Sequence, residues 1–481
     1  MQLVMRSLVT ALVISLFAGV PAPAAAEEAR KPNVILILAD DLGATDLGCF
    51  GSDLYESPHL DKLASDGMKF TQAYSACTVC SPTRASILTG KYPARLHVTD
   101  WIPGLIPANP KLLPPEWTKH LPIEETTLAE VLKSAGYATA SIGKWHLGNE
   151  SHYPEKHGFD LNVAGTMLAA PKSYFAPYNI PTLPEGPAGE YLTDRLGEEA
   201  VRFIERTKDK PFFLYLPHFA VHLPIQGKPE LAEKYRAKVR PNMTHTNPVY
   251  AAMIESLDNS VGRIRATLEE LALADDTIIL FTSDNGGHLP TTSNRPLRYG
   301  KASCYEGGTR VPLIVHWPRV IKAGSVCDTP AISPDLYPTV LEMVGIKDSE
   351  GHRPDGVSLA PLLRQSGTLS RKDLFWHYPH YQLYQQGGTT PYGAIRSRDW
   401  RLVEFYDDLR VELHNLADDP GEQNDLAERN LEKAAELRTR LAEWRKEVGA
   451  QMPSGNPAYD PAKPQHVPKA KKKAKAKSKS N

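Results

Sequence analysis

"NVILILADD", residues 33–41, decides how the rest of the chain is read. Seven residues carry no polar–apolar alternation, and two carboxylates follow at once. A short unbroken apolar run of this kind reads as a strand covered on both faces, the habit of a parallel sheet flanked by helices. It ends in Asp40 and Asp41. In an open parallel sheet, ligands bind beyond the carboxyl ends of the strands. What the other strands carry at their exits therefore matters most.

Working outward, the same plan recurs. "TLAEVLKSAGYATASIGKWHLG" (127–148) reads as helix, turn, strand and polar tip. "EYLTDRLGEEAVRFIERTKDKPFFLYLPHFAVHLP" (190–224) and "VYAAMIESLDNSVGRIRATLEELALADDTIILFTSDNGG" (249–287) repeat it. "SPHLDKLASDGMKF" (57–70) reads as a further helix, with apolar spacing at Leu60, Leu63 and Ala64. This alternation predicts an α/β fold: a large mixed, mostly parallel sheet sandwiched by helices. After about residue 365, "DLFWHYPHY", "YGAIRSRDWRLVEFY" and "RVELHNLADDPGEQNDL" read as short antiparallel strands, and 431–449 as an amphipathic helix. The expected organisation is a main domain over 27–365, a smaller α+β subdomain over 366–450, and an unstructured lysine-rich tail over 451–481.

Four predicted strands deliver chemistry at their tips. The first gives Asp40 and Asp41, the second Lys144 and His146, the third His218 and His222, the fourth Asp284 and Asn285. Each has a bland reading alone: Asp-Asp as a helix cap, Asp-Asn-Gly-Gly as a turn, a lone lysine as surface. Joint placement favours function. Three carboxylates and an amide carbonyl are hard oxygen ligands, suited to Ca²⁺ or Mg²⁺ rather than zinc.

"CTVCSPTRAS" (77–86) adds a pair of cysteines. A zinc site lacks its second Cys-x-x-Cys or a Cys/His set at ligand spacing, while a redox dithiol stays open as an alternative. Pro82 fits the first turn of a helix that Gly90 would end. Cys80 then sits at the helix N-terminus, where partial positive charge favours an anion, with Arg84 one turn further on the same face.

The bulk numbers set the frame. The chain has 481 residues, 41% hydrophobic and 23% charged, an ordinary globular composition. Residues 1–26 read as a secretory signal peptide, with an apolar run too short to span a bilayer, so export to the periplasm or medium is expected. Formal net charge is −1; setting aside Arg6 and the eight lysines from 463 onward leaves the body near −10. An acidic body argues against nucleic acid as the main partner. Five cysteines are too few for a dense disulfide framework, and their odd number leaves at least one unpaired within the chain.

In these segments the chain resembles the formylglycine-dependent (type I) sulfatases of the alkaline-phosphatase-like superfamily. "CSPTR" with "ASILTGKYPAR" is similar to the family signature. "NVILILADDLG", "GYATASIGKWHLG", "PHFAVHLP", "SDNGG" and "YGKASCYEGGTRVPLIVHWP" follow in the family's order, over roughly residues 31–320. The resemblance implies that a maturation enzyme oxidises Cys80 to formylglycine (3-oxoalanine), whose hydrate is a gem-diol. One oxygen attacks sulfur and the alcohol leaves. The second hydroxyl then loses its proton, the aldehyde reforms and sulfate is expelled, a route closed to serine. It also implies a Ca²⁺ or Mg²⁺ site made of Asp40, Asp41, Asp284, Asn285 and the modified Cys80.

By the same resemblance Arg84 holds the nucleophile's oxygens, and Lys144 and Lys301 contact the sulfate. His146 takes the hydrate proton, and His222 protonates the leaving oxygen. His222 is preferred to His218 because the family's histidine precedes a proline by two positions, as in "HLP". Cys77 is incidental or a disulfide partner. The residues 92–126, and His288, Arg295 and Arg298 beside the metal strand, are expected pocket walls, with His288 and Arg298 binding substrate. The polar, basic character of that last loop suits a sulfated polysaccharide or oligosaccharide. The alternatives are a phosphonate or phosphate ester hydrolase on the same scaffold, or an inactive binding protein.

Overall fold

The computed structural model describes residues 30–383 and 387–465. The expected signal peptide and the lysine run from 466 lie outside the described residues. In chain order the strands are β1 (Asn33–Ala39), β2 (Met68–Tyr74), β3 (Leu112–Leu113), β4 (Ala138–Ile142), β5 (Leu161–Val163), β6 (Phe212–Pro217), β7 (Thr277–Ser283) and β8 (Arg310–His316). There follow β9 (Ser325–Cys327), β10 (Ala331–Ile332), β11 (Asp373–Tyr378), β12 (Tyr392–Ser397), β13 (Trp400–Phe405), β14 (Val411–Asn415) and β15 (Ser454–Gly455).

Nine of them form one sheet in the order β10-β2-β8-β7-β1-β6-β4-β5, with β9 also on β2. β1 is central and pairs in parallel with β6 and β7. β8 is antiparallel to both its neighbours, β7 and β2, so it alone runs against the rest. The sequence explains the centre. All seven residues of β1 are buried. Ile35, Ile37 and Ala39 pack into one apolar cluster with Leu196, Phe203, Ile254 and Val261, from the Leu192–Thr207 and Pro248–Glu270 helices. Val34, Leu36 and Leu38 join the opposite cluster with Val131, Leu132 and Val340, from the Leu128–Ser134 and Leu336–Met343 helices. Burying each large aliphatic side chain contributes about 1.5–3 kcal/mol. That is of the same size as the roughly 1–2 kcal/mol of backbone entropy each residue loses, so the run holds as a strand because both of its faces are covered.

The smaller unit is an antiparallel sheet in the order β11-β12-β13-β14. The Leu431–Glu447 helix packs on it through Leu437, Leu441 and Trp444. A third apolar cluster joins this unit to the main domain: Trp376, Tyr392 and Leu402 meet Val79, Tyr92 and Cys304.

Two expectations need correction. The helix expected over 57–70 stops at Asp66, and Met68–Tyr74 is a strand. The reason is Gly67, where a Cβ would lie 2.4 Å from the Val315 carbonyl, so the chain turns there against β8. The tail expected to be unstructured from 451 is ordered through 465. β15 pairs with β3, and the Asn109 amide donates to the carbonyls of Asp460 (2.8 Å) and Lys463 (2.9 Å). This segment crosses the 109–113 loop.

Candidate active site

The strand exits converge as expected. Asp40 and Asp41 follow β1, Asp284 and Asn285 follow β7, Lys144 follows β4 by two residues, and His222 lies five beyond β6. Backbone bonds stitch these exits together: Asp284 N–H to Ala39 O (3.1 Å), Lys144 N–H to Pro217 O (2.7 Å) and Val221 N–H to Asp40 O (2.7 Å). Gly143 has φ 128°, and a Cβ there would stand 2.0 Å from the Pro217 carbonyl, so only glycine lets the Lys144 strand come this close. Asp41 (φ 62°) and His146 (φ 57°) occupy the left-handed region. Such strain costs about 1–3 kcal/mol per residue and collects at sites where side-chain direction matters more than local comfort.

Three carboxylates face three cations, nearly all withdrawn from water. Arg84 donates through Nε (2.9 Å) and Nη2 (2.7 Å) to Asp284 Oδ2, and through Nη1 to the Lys144 carbonyl (2.8 Å). Lys144 Nζ lies 2.6 Å from Asp40 Oδ2. Lys301 Nζ lies 2.7 Å from Asp41 Oδ1. Asn285 donates its amide to Asp41 Oδ1 (2.8 Å), which turns its carbonyl oxygen the other way. Against the cost of burial, the charge of Lys301 holds Asp41 well below the usual carboxylate range. Asp40 moves the opposite way: burial raises it, and the charge of Asp284 adds to the rise.

This donor set fits a hard divalent cation. Asp40 Oδ1 and Asn285 Oδ1 are buried without any hydrogen-bond partner among the described residues. Leaving two such acceptors bare is costly, and a cation between them would remove the penalty. Asp40, Asp41 and His222 also bring ligand atoms within 4.8 Å of one another.

The Cys80–Thr89 helix begins at Cys80 and closes at Gly90 (φ 71°), as the sequence predicts. Cys80 Sγ lies 3.3 Å from His146 Nδ1. The opposite ring nitrogen, Nε2, is 2.5 Å from the Ile102 carbonyl. A carbonyl only accepts, so Nε2 carries the hydrogen and Nδ1 faces position 80 bare. Burial, reinforced by Lys144, keeps this imidazole neutral. Ser81 also reaches Nδ1 (3.2 Å), a contact the sequence reading missed. Burial raises the Cys80 thiol itself. All five cysteines are free, so Cys77 has no disulfide partner.

His222 Nε2 lies 3.5 Å from Asp41 Oδ2, while His218 is a core residue against Ser260 (3.3 Å). The two expected substrate residues make contacts of their own. His288 is held on its own loop, Nδ1 2.9 Å from Thr291 Oγ1. Arg298 does not join the charged cluster. It stacks 3.8 Å above the Tyr305 ring and donates to the Glu422 carbonyl (2.9 Å), on the seam with the smaller unit.

That seam carries a clamp with no local signal in the sequence. Arg401, on β13 and fully buried, donates to Glu306 Oε1 (3.0 Å) and to the Cys304 carbonyl (2.7 Å). Glu422 lies 3.3 Å from its Nε and accepts from the Glu306 N–H (2.7 Å). These contacts grip the segment that bears Lys301. Removing one member of a buried ion-pair network costs about 3–5 kcal/mol. Arg401→Met is expected to lower the unfolding free energy by about that amount in denaturant titration; an unchanged midpoint and slope would remove the clamp from the account.

Residues 32–346 match the family model described as Sulfatase. Residues 298–447 match a second, described as N-sulphoglucosamine sulphohydrolase, C-terminal. A sulfatase of Formosa agariphila is 34% identical, over 86% of this chain and 89% of its own length. Human N-acetylgalactosamine-6-sulfatase is 32% identical, over 81% and 78%. Among solved structures, Ps i-CgsB in complex with k-i-k-neocarrahexaose superposes with a TM-score of 0.73 at 29% identity, covering 86% of this chain and 93% of the other.

Proposed function

The chain belongs to the sulfatase family and is a sulfuric ester hydrolase; we propose that it is exported, takes sulfated carbohydrates, and works with formylglycine at position 80 and a divalent cation, Ca²⁺ or Mg²⁺. The observation that carries this reading is the meeting of four strand exits around Cys80 with two bare buried oxygens, Asp40 Oδ1 and Asn285 Oδ1, among them.

Asp40, Asp41, Asp284 and Asn285 would hold the cation, with position 80 beside them. When present, the cation supplies Lewis-acid polarisation, and the hydrated aldehyde supplies an oxygen nucleophile that a buried neutral thiol does not. The remaining work falls to this chain's own side chains. Arg84, fixed to Asp284 and the Lys144 carbonyl, keeps positive charge next to position 80. Lys144 and Lys301 present ammonium hydrogens to sulfate oxygens and stabilise charge that builds on them. His146 accepts a proton at Nδ1, the nitrogen its bond to Ile102 leaves bare. His222, neutral with its hydrogen on Nδ1 in the free site, takes up a proton at Nε2 when substrate binds and passes it to the departing sugar oxygen.

Support for a carbohydrate comes from the relatives named for sugar sulfates and from the carrageenan-type oligosaccharide bound by the superposed structure. No helix of the described residues is long and apolar enough to cross a membrane. The expected signal peptide supports export, and no nucleic-acid partner is proposed for so acidic a body. The test is a comparison of 4-nitrophenyl sulfate, 4-nitrophenyl phosphate and a panel of sulfated sugars, before and after chelation. Sulfate hydrolysis that chelation abolishes and Ca²⁺ or Mg²⁺ restores is expected. A preference for the phosphate, or full activity after exhaustive chelation, would contradict the reading.

A further inference from the structure

A groove of about 850 Å³ lies between the 289–299 loop and residues 243–244 and 422–423. Its wall shares a frame with the catalytic lysine. Asn294 exchanges two bonds with Gly287, accepting from its N–H (3.1 Å) and donating to its carbonyl (3.0 Å). That same Gly287 carbonyl accepts the backbone N–H of Lys301 (3.0 Å). The groove wall is thus tied through Asn294 and Gly287 to the backbone of the lysine proposed to meet sulfate.

The charges around the groove do not balance. Arg298 is engaged by Glu412 (3.3 Å) and by the Tyr305 ring. Glu422, the one carboxylate among the lining residues, is fully buried and committed to Arg401 and the Glu306 N–H. Arg295 is exposed, and its guanidinium has no acidic partner among the described residues. Tyr299, 41% exposed, adds apolar surface on the part of its ring that Arg298 (5.5 Å) and Tyr305 (5.8 Å) leave open. An unpaired guanidinium and a part-exposed tyrosine in one groove suit a pyranose ring that carries an anionic group: the ring's C–H face meets the exposed part of the tyrosine and the anion pairs with arginine.

We infer that this groove binds a neighbouring anionic sugar of the substrate chain, with Arg295 contacting its sulfate or carboxylate, so that the protein prefers oligosaccharides charged on more than one unit. The inference rests on the sulfatase reading, but its test is separate from turnover. Binding is measured calorimetrically in the full chain carrying Cys80→Ala, which prevents hydrolysis. The probes are carrageenan hexasaccharides, charged by sulfate alone, chondroitin sulfate hexasaccharides, which also bear carboxylates, and a singly sulfated galactose. At least one hexasaccharide is expected to bind better than the monosaccharide. Adding Arg295→Ala should raise that Kd by about tenfold, the scale of one charge-assisted hydrogen bond, and shift the monosaccharide by less than about twofold. Arg295→Lys should recover part of the loss. Tight binding of the carrageenan series points to sulfate as the second anion; binding of the chondroitin series alone points to carboxylate. Hexasaccharides that bind no better than the monosaccharide, or equally well to Arg295→Ala, would overturn the groove while leaving sulfate hydrolysis untouched. Absence of all sulfate ester hydrolysis in the parent chain would instead strike the functional reading.

Discussion

Replacing Cys80 by alanine is expected to lower kcat/KM for any sulfate ester by more than about a thousandfold, the scale on which enzymes lose covalent catalysis. The fold should survive. Cys80 Sγ has His146 as its hydrogen-bonding contact, and the substitution removes one small atom from the start of a helix whose other nine residues are buried on their own account. A thermal midpoint within a few degrees of the parent is therefore expected, so loss of rate would report chemistry rather than unfolding. Cys80→Ser should be almost as damaging, since a serine hydroxyl lacks the second oxygen that releases sulfate. Substantial activity in either variant would mean that position 80 is not the nucleophile.

The second large effect concerns His222. Its Nδ1 is 2.9 Å from the Leu223 carbonyl, so Nδ1 donates and Nε2 is the nitrogen turned toward Asp41. Burial and the charge of Lys301 push this imidazole down to about 3, with Asp41 opposing. In the free site it is neutral. A sulfate ester settling between Lys144 and Lys301 brings a negative charge that partly offsets the lysines, which raises the proton affinity of Nε2 when an acid is needed. His222→Ala should lower kcat by about 100- to 10,000-fold on a sugar sulfate, whose alkoxide leaves poorly without a proton. With 4-nitrophenyl sulfate the loss should be less than about tenfold, because that phenolate leaves unaided. Equal losses on both substrates would make His222 a binding group, not an acid.

What the sequence disclosed depends on how local each signal is. The unbroken run 33–39 shows a doubly covered strand because both faces of β1 meet apolar clusters. Asp40, Asp41, Asp284 and Asn285 were legible because a parallel sheet places its strand exits on one edge. Arg84 was legible because four residues from Cys80 is one helical turn. The failures involve contacts that no neighbouring residue announces. Arg401 and Glu306 are 95 positions apart and meet only when the antiparallel sheet folds onto the Lys301 segment. The Ile102 carbonyl sets the His146 tautomer from 44 positions away. Arg298, close to β7 in sequence, lies outside the charged cluster and on the seam between the two units. The backbone turns at Tyr299 (φ 59°), leaving Arg298 on the seam and sending Lys301 to Asp41.

The measurement that reaches the centre most directly is a mass spectrum of the peptide bearing position 80, taken on preparations with different specific activity. Co-expression with and without a formylglycine-generating enzyme would produce that range. Specific activity is predicted to rise in proportion to the aldehyde fraction and to fall to background where only thiol is found. Full activity in protein whose Cys80 is entirely unmodified thiol would contradict the account.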